Sequence, residues 1–214
     1  MDNIINEIKK DYKLDVKYKD TSLFMKFLSL ILFFNKDFMK SFTTTIGTTI
    51  YYPSEEFVKN SPITSLITLL HELVHIIDYN KNKLLFTLLY LFPQVLAIFA
   101  LPLFFISWKF SALFLLFLLP LPAYFRMKYE RKAYAVSLYV IKQLSLKKNF
   151  KVELEKQKDN YISYFKKSDY YYMWIFKTID SDFNEYLLKI ENNERPFKDE
   201  IFDLIDKYID FALK

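Results

Sequence analysis

The chain contains no cysteine. That excludes a disulfide framework and any thiolate metal site, so a zinc ion would have to rest on imidazole and carboxylate. The absence suits a reducing compartment. Histidine is scarce too, with only His71 and His75 in the whole chain, and glycine occurs once, at Gly47. The net charge of +5 is modest. Its basic residues form no arginine-rich, aromatic-interleaved tract, so nucleic acid is not an expected partner. The start, Met1-Asp2-Asn3-Ile4, lacks a positive region followed by an apolar one, and no cleavable signal peptide is expected. Repeats and low-complexity linkers are absent. A length of 214 residues supports one domain over 1–214, and 52% apolar residues are enough for a sizeable core.

The two histidines lie in His71-Glu72-Leu73-Val74-His75, an H-E-x-x-H sequence. On a helix, residues four apart stand one above the other, so both imidazoles can reach one tetrahedral ion. Glu72 would lie beside that ion rather than on it, placed to take a proton from water. The flanks favour a helix. Ser61 is a natural N-cap and Pro62 suits the first helical position. Leu66, Leu69, Leu70, Leu73 and Val74 supply a wide apolar arc, while Thr64, Thr68, His71, His75 and Asp78 keep a narrower stripe polar. A core helix with incidental histidines has no reason to preserve that stripe.

Elsewhere the pattern is mainly α with a small β element. Ile4, Ile5, Ile8 and Tyr12 predict a short amphipathic helix, and Leu14, Val16 and Tyr18 a short strand. Residues 23–34 are apolar almost all round, yet too short for a bilayer of ~30 Å hydrocarbon, which favours a core or interfacial helix. The β-branched run 42–52, with Gly47 inside it, predicts either a bulged strand or a tight hairpin. Ser54-Glu55-Glu56 begins a helical turn. Glu130 is expected to open a helix reaching about Lys148, with Val136, Leu138, Tyr139, Ile141 and Leu144 as its apolar face. Pro196 is expected to open the last helix.

Between these parts the chemistry changes abruptly. From 84 to 125 the only charge is Lys109. The pattern predicts an inserted membrane hairpin over about 84–125, turning at Trp108-Lys109 where an aromatic and a cation suit the interface. Lys81 and Lys83 precede it and Arg126, Lys128, Arg131 and Lys132 follow it, so both ends should share the cytoplasmic side. Pro93, Pro102, Pro120 and Pro122 leave open whether the segment crosses as kinked spans or dips without crossing.

Two histidines do not complete a catalytic zinc site. Without further His or Cys, the third ligand must be Asp, Glu or Tyr. Asp78 and Lys81 stand where the longer metzincin pattern would need glycine and histidine, so that pattern fails. A glutamate from a later helix is the remaining common solution. Glu130 fits best, with Ala133 as a small contact residue one turn on. Asp78 and other carboxylates remain alternatives; Asp78 could instead support a ligating imidazole from behind.

In order along the chain, His71-Glu72-Leu73-Val74-His75, the apolar stretch 84–125 and Glu130-Arg131-Lys132-Ala133 resemble the membrane-integrated gluzincins, of the HtpX and CAAX-prenyl endopeptidase type. The likeness covers residues 61–140. Tyr134 stands where that family carries Asp, and its earlier membrane spans have no counterpart beyond 23–34. The chain also looks, more faintly, like phage-encoded H-E-x-x-H proteins. The gluzincin resemblance implies a zincin-like pair of helices, one bearing H-E-x-x-H and one bearing Glu, joined by the membrane hairpin. It further implies a membrane zinc endopeptidase with Zn²⁺ on His71, His75 and Glu130 and with Glu72 as base. Its partners would be the lipid bilayer and a peptide or protein substrate, membrane proteins included. Tyr134 or the cluster 170–172 is a candidate oxyanion donor. The competing expectations are a non-catalytic membrane protein, structural or partner-binding, with a vestigial site, and a soluble metallopeptidase that buries its apolar hairpin.

Overall fold

A computed structural model of the protein describes residues 1–32, 35–167 and 172–214. It is mainly helical, with one small sheet. α1 (Asp2–Asp11) and β1 (Asp15–Tyr18) come first, followed by α2 (Leu23–Ile31). β2 (Thr44–Ile46) and β3 (Thr49–Tyr52) form the hairpin alternative of the 42–52 run, and α3 (Glu55–Asn60) follows. Gly47 sits at φ +63° in the two-residue turn, a conformation that costs only glycine nothing. β3 is central, parallel to β1 through Val16↔Ile50 and antiparallel to β2 through Thr45↔Ile50. β2 is therefore an edge strand.

α4 (Pro62–Lys81) carries both histidines. Ser61 and Pro62 stand where the sequence places them, although Ser61 makes no side-chain cap bond. Tyr52 Oη donates to the Ser65 carbonyl at 2.9 Å, which fixes the sheet to this helix. α4 packs along α8 (Tyr124–Lys148). α8 begins before Glu130, which consequently lies two turns inside the helix, where its neighbours on both sides are held. Leu69, Leu70, Leu73 and Val74 of α4 meet Val136, Leu138, Val140 and Leu144 of α8 in one core. α9 (Leu154–Lys166), α10 (Thr178–Glu191) and α11 (Ile201–Ala212) close round α8. The last helix starts at Ile201 rather than Pro196, because the Asp199 side chain accepts the Ile201 amide at 3.0 Å and sets its first turn there.

Over the apolar stretch 84–125 no hairpin of long helices is found, and of the forms left open by its prolines the structure shows short, bent pieces. Residues 83–118 fold instead as α5 (Lys83–Leu91), a 3₁₀ helix (Gln94–Phe99), α6 (Ala100–Phe104), α7 (Trp108–Leu115) and a 3₁₀ turn (Leu116–Leu118). Prolines explain two of the breaks. Phe92 and Leu119, each preceding a proline, take extended ψ values of 137° and 159°, and the helices stop there. The chain reverses just ahead of Trp108-Lys109 and α6 packs on α7. No single helix among the described residues is long and apolar enough to cross a membrane. α2 is not a core helix either, since Met25 is its one buried residue. The last two residues of the expected 23–34 helix, and positions 170 and 171 of the tyrosine cluster, lie outside the described residues.

Behind the sheet, Lys19 is fully buried, with Nζ donating to the Phe38 carbonyl at 2.7 Å and lying 3.7 Å from the centre of the Phe38 ring. Burial pushes its ammonium down to about 7, against a smaller opposing pull from Glu72. Above that value the unfolded chain, with a lysine pKa of about 10.4, binds more protons than the native one, so this group makes stability rise with pH until both forms are neutral. Urea unfolding of the wild type and of Lys19→Met should therefore show the wild type gaining relative stability from about pH 7 to about pH 10. A flat or falling difference would show that Lys19 is solvated.

Candidate metal centre

His71 and His75 project from adjacent turns of α4 towards Glu130 of α8, and all three are buried. One oxygen of Glu130 lies 3.5 Å from His71 Nε2 and the other 3.5 Å from His75 Nε2. That separation is long for a hydrogen bond. It is close to the ~3.4 Å edge of a tetrahedron whose metal–ligand bonds are ~2.1 Å. One ligand atom from each residue can be chosen so that all lie within 4.8 Å of one another. Both ring nitrogens of His75 and Oε2 of Glu130 are buried with no hydrogen-bond partner among the described residues. Buried polar atoms left in that condition are costly, and a shared cation would satisfy them together. The group can hold a metal ion.

The electrostatics agree. Burial raises the Glu130 carboxyl, but the charge of His75, with the His71 imidazole also close by, outweighs it and holds the group well below the usual carboxylate range. Burial likewise opposes charge on His75, and Glu130 more than reverses it, so that imidazole is raised. A buried carboxylate kept ionised between two imidazoles is a cation site in waiting.

Two further residues fix the ligands, and the sequence reading missed both. Ser137 Oγ donates to the Ala133 carbonyl at 3.1 Å, so its oxygen is left to accept from His71 Nδ1, also 3.1 Å away. This arrangement leaves the Nε2 lone pair of His71 facing Glu130. Tyr90, from α5, donates its phenol to Glu130 Oε1 at 2.5 Å. Arg126 holds Tyr90 in turn, its Nε donating to the Tyr90 carbonyl at 2.9 Å. Ser137 was findable, since it follows Glu130 by seven residues and shares its helical face. Tyr90 carried no such signal among 17 tyrosines.

The other sequence candidates separate. Glu72 is buried and lines the cavity beside the histidines. Asp78 turns to Lys81 at 2.9 Å and Lys132 at 3.2 Å, so it ties α4 to α8 by charge, while Ser137 is what supports an imidazole. The Tyr134 ring packs on His71, with centroids 4.5 Å apart, and on Tyr161 at 4.6 Å. Ala133 is fully buried beneath the ligands. Tyr172, the described member of the aromatic cluster, is exposed.

A cavity of about 270 Å³ opens over the histidines, walled by Thr43 to Thr45 of the β2 edge on one side and by Phe86 and Tyr90 on the other. A second, of about 370 Å³, shares Phe42, Thr43, His71 and Glu72 with it and runs on between Tyr134, Tyr161 and Ile67. The two cavities are thus neighbours, and Glu72 lines both.

Compared with known proteins, the chain matches no family model, no curated protein and no solved structure. What the site itself shows is a buried His–His–Glu group, between two packed helices, that can hold a metal ion.

Purified protein should bind about one divalent ion per chain, and His71→Ala combined with His75→Ala should abolish it; metal analysis retaining full stoichiometry in the double variant would remove the site. Tyr90→Phe and Ser137→Ala should each weaken metal affinity by roughly tenfold or more without unfolding the chain, as measured by competition with a chelating dye.

Proposed function

We propose that the protein is a membrane-anchored zinc-dependent endopeptidase with a zincin-like active site. The observation that carries this reading is that Glu72 lines both cavities, next in sequence to His71 of a buried His71–His75–Glu130 group that can hold a metal ion. The nitrogen and oxygen donor set suits zinc, which, when bound, polarises a peptide carbonyl and acidifies water. Glu72 then takes the proton of the attacking water and passes it to the leaving amine. The free edge of β2 offers backbone groups to an extended peptide, and the shared wall at Phe42 and Thr43 lets that peptide run from one cavity to the other. Membrane anchoring is supported by the exposed apolar side chains of 84–119. The basic flanks Lys81, Lys83, Arg126 and Lys128 support a cytoplasmic active site.

Glu72→Gln keeps the size of the side chain and removes its basicity. The variant should retain metal while hydrolysis of an unfolded or membrane protein substrate falls by about 10²–10⁴. Equal cleavage by wild type and variant would remove Glu72 from the chemistry. A wild type that binds zinc but cleaves nothing would favour the non-catalytic alternative.

A further inference from the structure

We infer that the protein rests on one leaflet of an anionic membrane through two separate apolar elements, α2 and the 83–118 segment, which flank the mouth of the metal cavity. This inference builds on the proposed membrane anchoring and fixes its geometry. α2 has an apolar sequence that the fold leaves uncovered, with Leu23 82% and Leu30 73% exposed. Ser22 caps it, so it is a formed helix rather than a loose strand of side chains. At the tip of the other element Phe105 is 88% and Ile106 76% exposed. Exposed apolar surface on this scale marks a contact face.

The cavity relates the two elements. Leu32, just after α2, and Phe86 and Tyr90 of α5 are walls of the same space over His71 and His75. α5 is two-faced. Phe86 and Tyr90 pack against His75, with ring centroids 6.4 and 6.0 Å away, while Leu84, Leu85, Leu88 and Leu91 face outwards. A surface that receives those leucines and α2 therefore lies across the cavity mouth.

No single helix of the segment is long enough to cross, and Lys83–Leu91 with Gln94–Phe104 reaches a span's length only as a bent pair. α5 has nine residues and Trp108–Leu118 has eleven. At 1.5 Å per residue these reach about 13 and 17 Å, roughly half of a ~30 Å hydrocarbon core. The segment also turns by 90° between Lys83–Leu91 and Gln94–Phe104. At its bends backbone groups are paired: Ser107 N donates to the Leu103 carbonyl at 2.8 Å, Ser111 Oγ to the Ala100 carbonyl at 2.9 Å, and Leu119 N to the Leu116 carbonyl at 3.0 Å. Backbone satisfied in this way tolerates hydrocarbon.

Charge chooses the occupant. Residues 79–129 and 21–36 contain no Asp or Glu, and their charges are cations only; Lys81 is paired with Asp78, which leaves Lys26, Lys36, Lys83, Lys109 and Lys128 for the rim. An anionic headgroup layer complements that rim, whereas a second copy docked face to face would set like charges against each other.

The absence of native cysteine permits the test. Full-length chains carrying F27C, F105C or L188C are labelled with an environment-sensitive fluorophore and added to sealed vesicles of phosphatidylcholine with phosphatidylglycerol. Labels at 27 and 105 should enter an apolar environment and be quenched by lipids carrying the quencher at shallow depth. The label at 188, an exposed position on α10, should stay in water. Binding to pure phosphatidylcholine should be at least about tenfold weaker, and Phe27→Glu should cost a similar factor while leaving metal content unchanged. A label at 105 reached by a quencher sealed inside the vesicles would mean crossing and would overturn the one-leaflet geometry. A label at 27 that remains in water while 105 enters lipid would remove α2 from the contact. Solution dimers without vesicle binding would assign the face to a second copy and would refute the membrane anchoring too. Docking should persist in the His71→Ala/His75→Ala variant, so a failed peptidase reading leaves this inference standing.

Discussion

Glu130 is the constraint on which the rest depends. A carboxylate that is 2% exposed is expensive unless opposite charge or hydrogen bonds meet it. Here two imidazoles and a phenol do so, and they come from α4 and α5 while the carboxylate comes from α8. The packing of these helices on one another is thus what brings the three side chains together. The same burial leaves both ring nitrogens of His75 and one Glu130 oxygen without a hydrogen-bond partner among the described residues, and a cation could satisfy them together.

The surrounding structure serves the ligands' orientation. Apolar side chains on α4 and α8 lock the two helices in register, and Ser137 sets the His71 ring one layer out. Asp78 contributes at longer range, bridging α4 to α8 through Lys132, which in turn meets Asp199 at 3.0 Å ahead of α11. Tyr90 is the unusual member, because it comes from a helix whose other face is bare leucine. Through it the apolar segment is mechanically joined to the ligand carboxylate. Whatever surface holds α5 also holds Glu130.

The same prolines that stop long helices shape this segment. A continuous apolar helix would satisfy its own backbone and carry the chain through a bilayer. Interrupted at Pro93 and again at Pro120, the chain is folded back within a short distance of the metal centre, and the contacts that remain are between its own short pieces.

What the sequence by itself determined were features complete within a helical turn or within composition. Four-residue spacing puts His71 and His75 on one face wherever the helix lies, and the lack of cysteine confines any metal to nitrogen and oxygen ligands. Gly47 marked either a bulge or a tight turn, and the structure, with Gly47 at φ +63°, shows the turn. The apolar character of 84–125 was also plain, but its form was not: hydropathy reports a preference for burial or lipid, and not whether proline-broken pieces extend or fold back. Tertiary structure alone decided which carboxylate reaches the histidines, because Glu130 lies 55 residues beyond His75 and arrives only through the packing of α8 on α4. It alone drew Asp78 away to Lys132 and brought Tyr90 in, since hydrogen bonds across 40 and 54 residues follow from helix register and leave no local pattern. Local spacing is set by one helix's geometry; a site assembled from three helices is set by how their buried faces close.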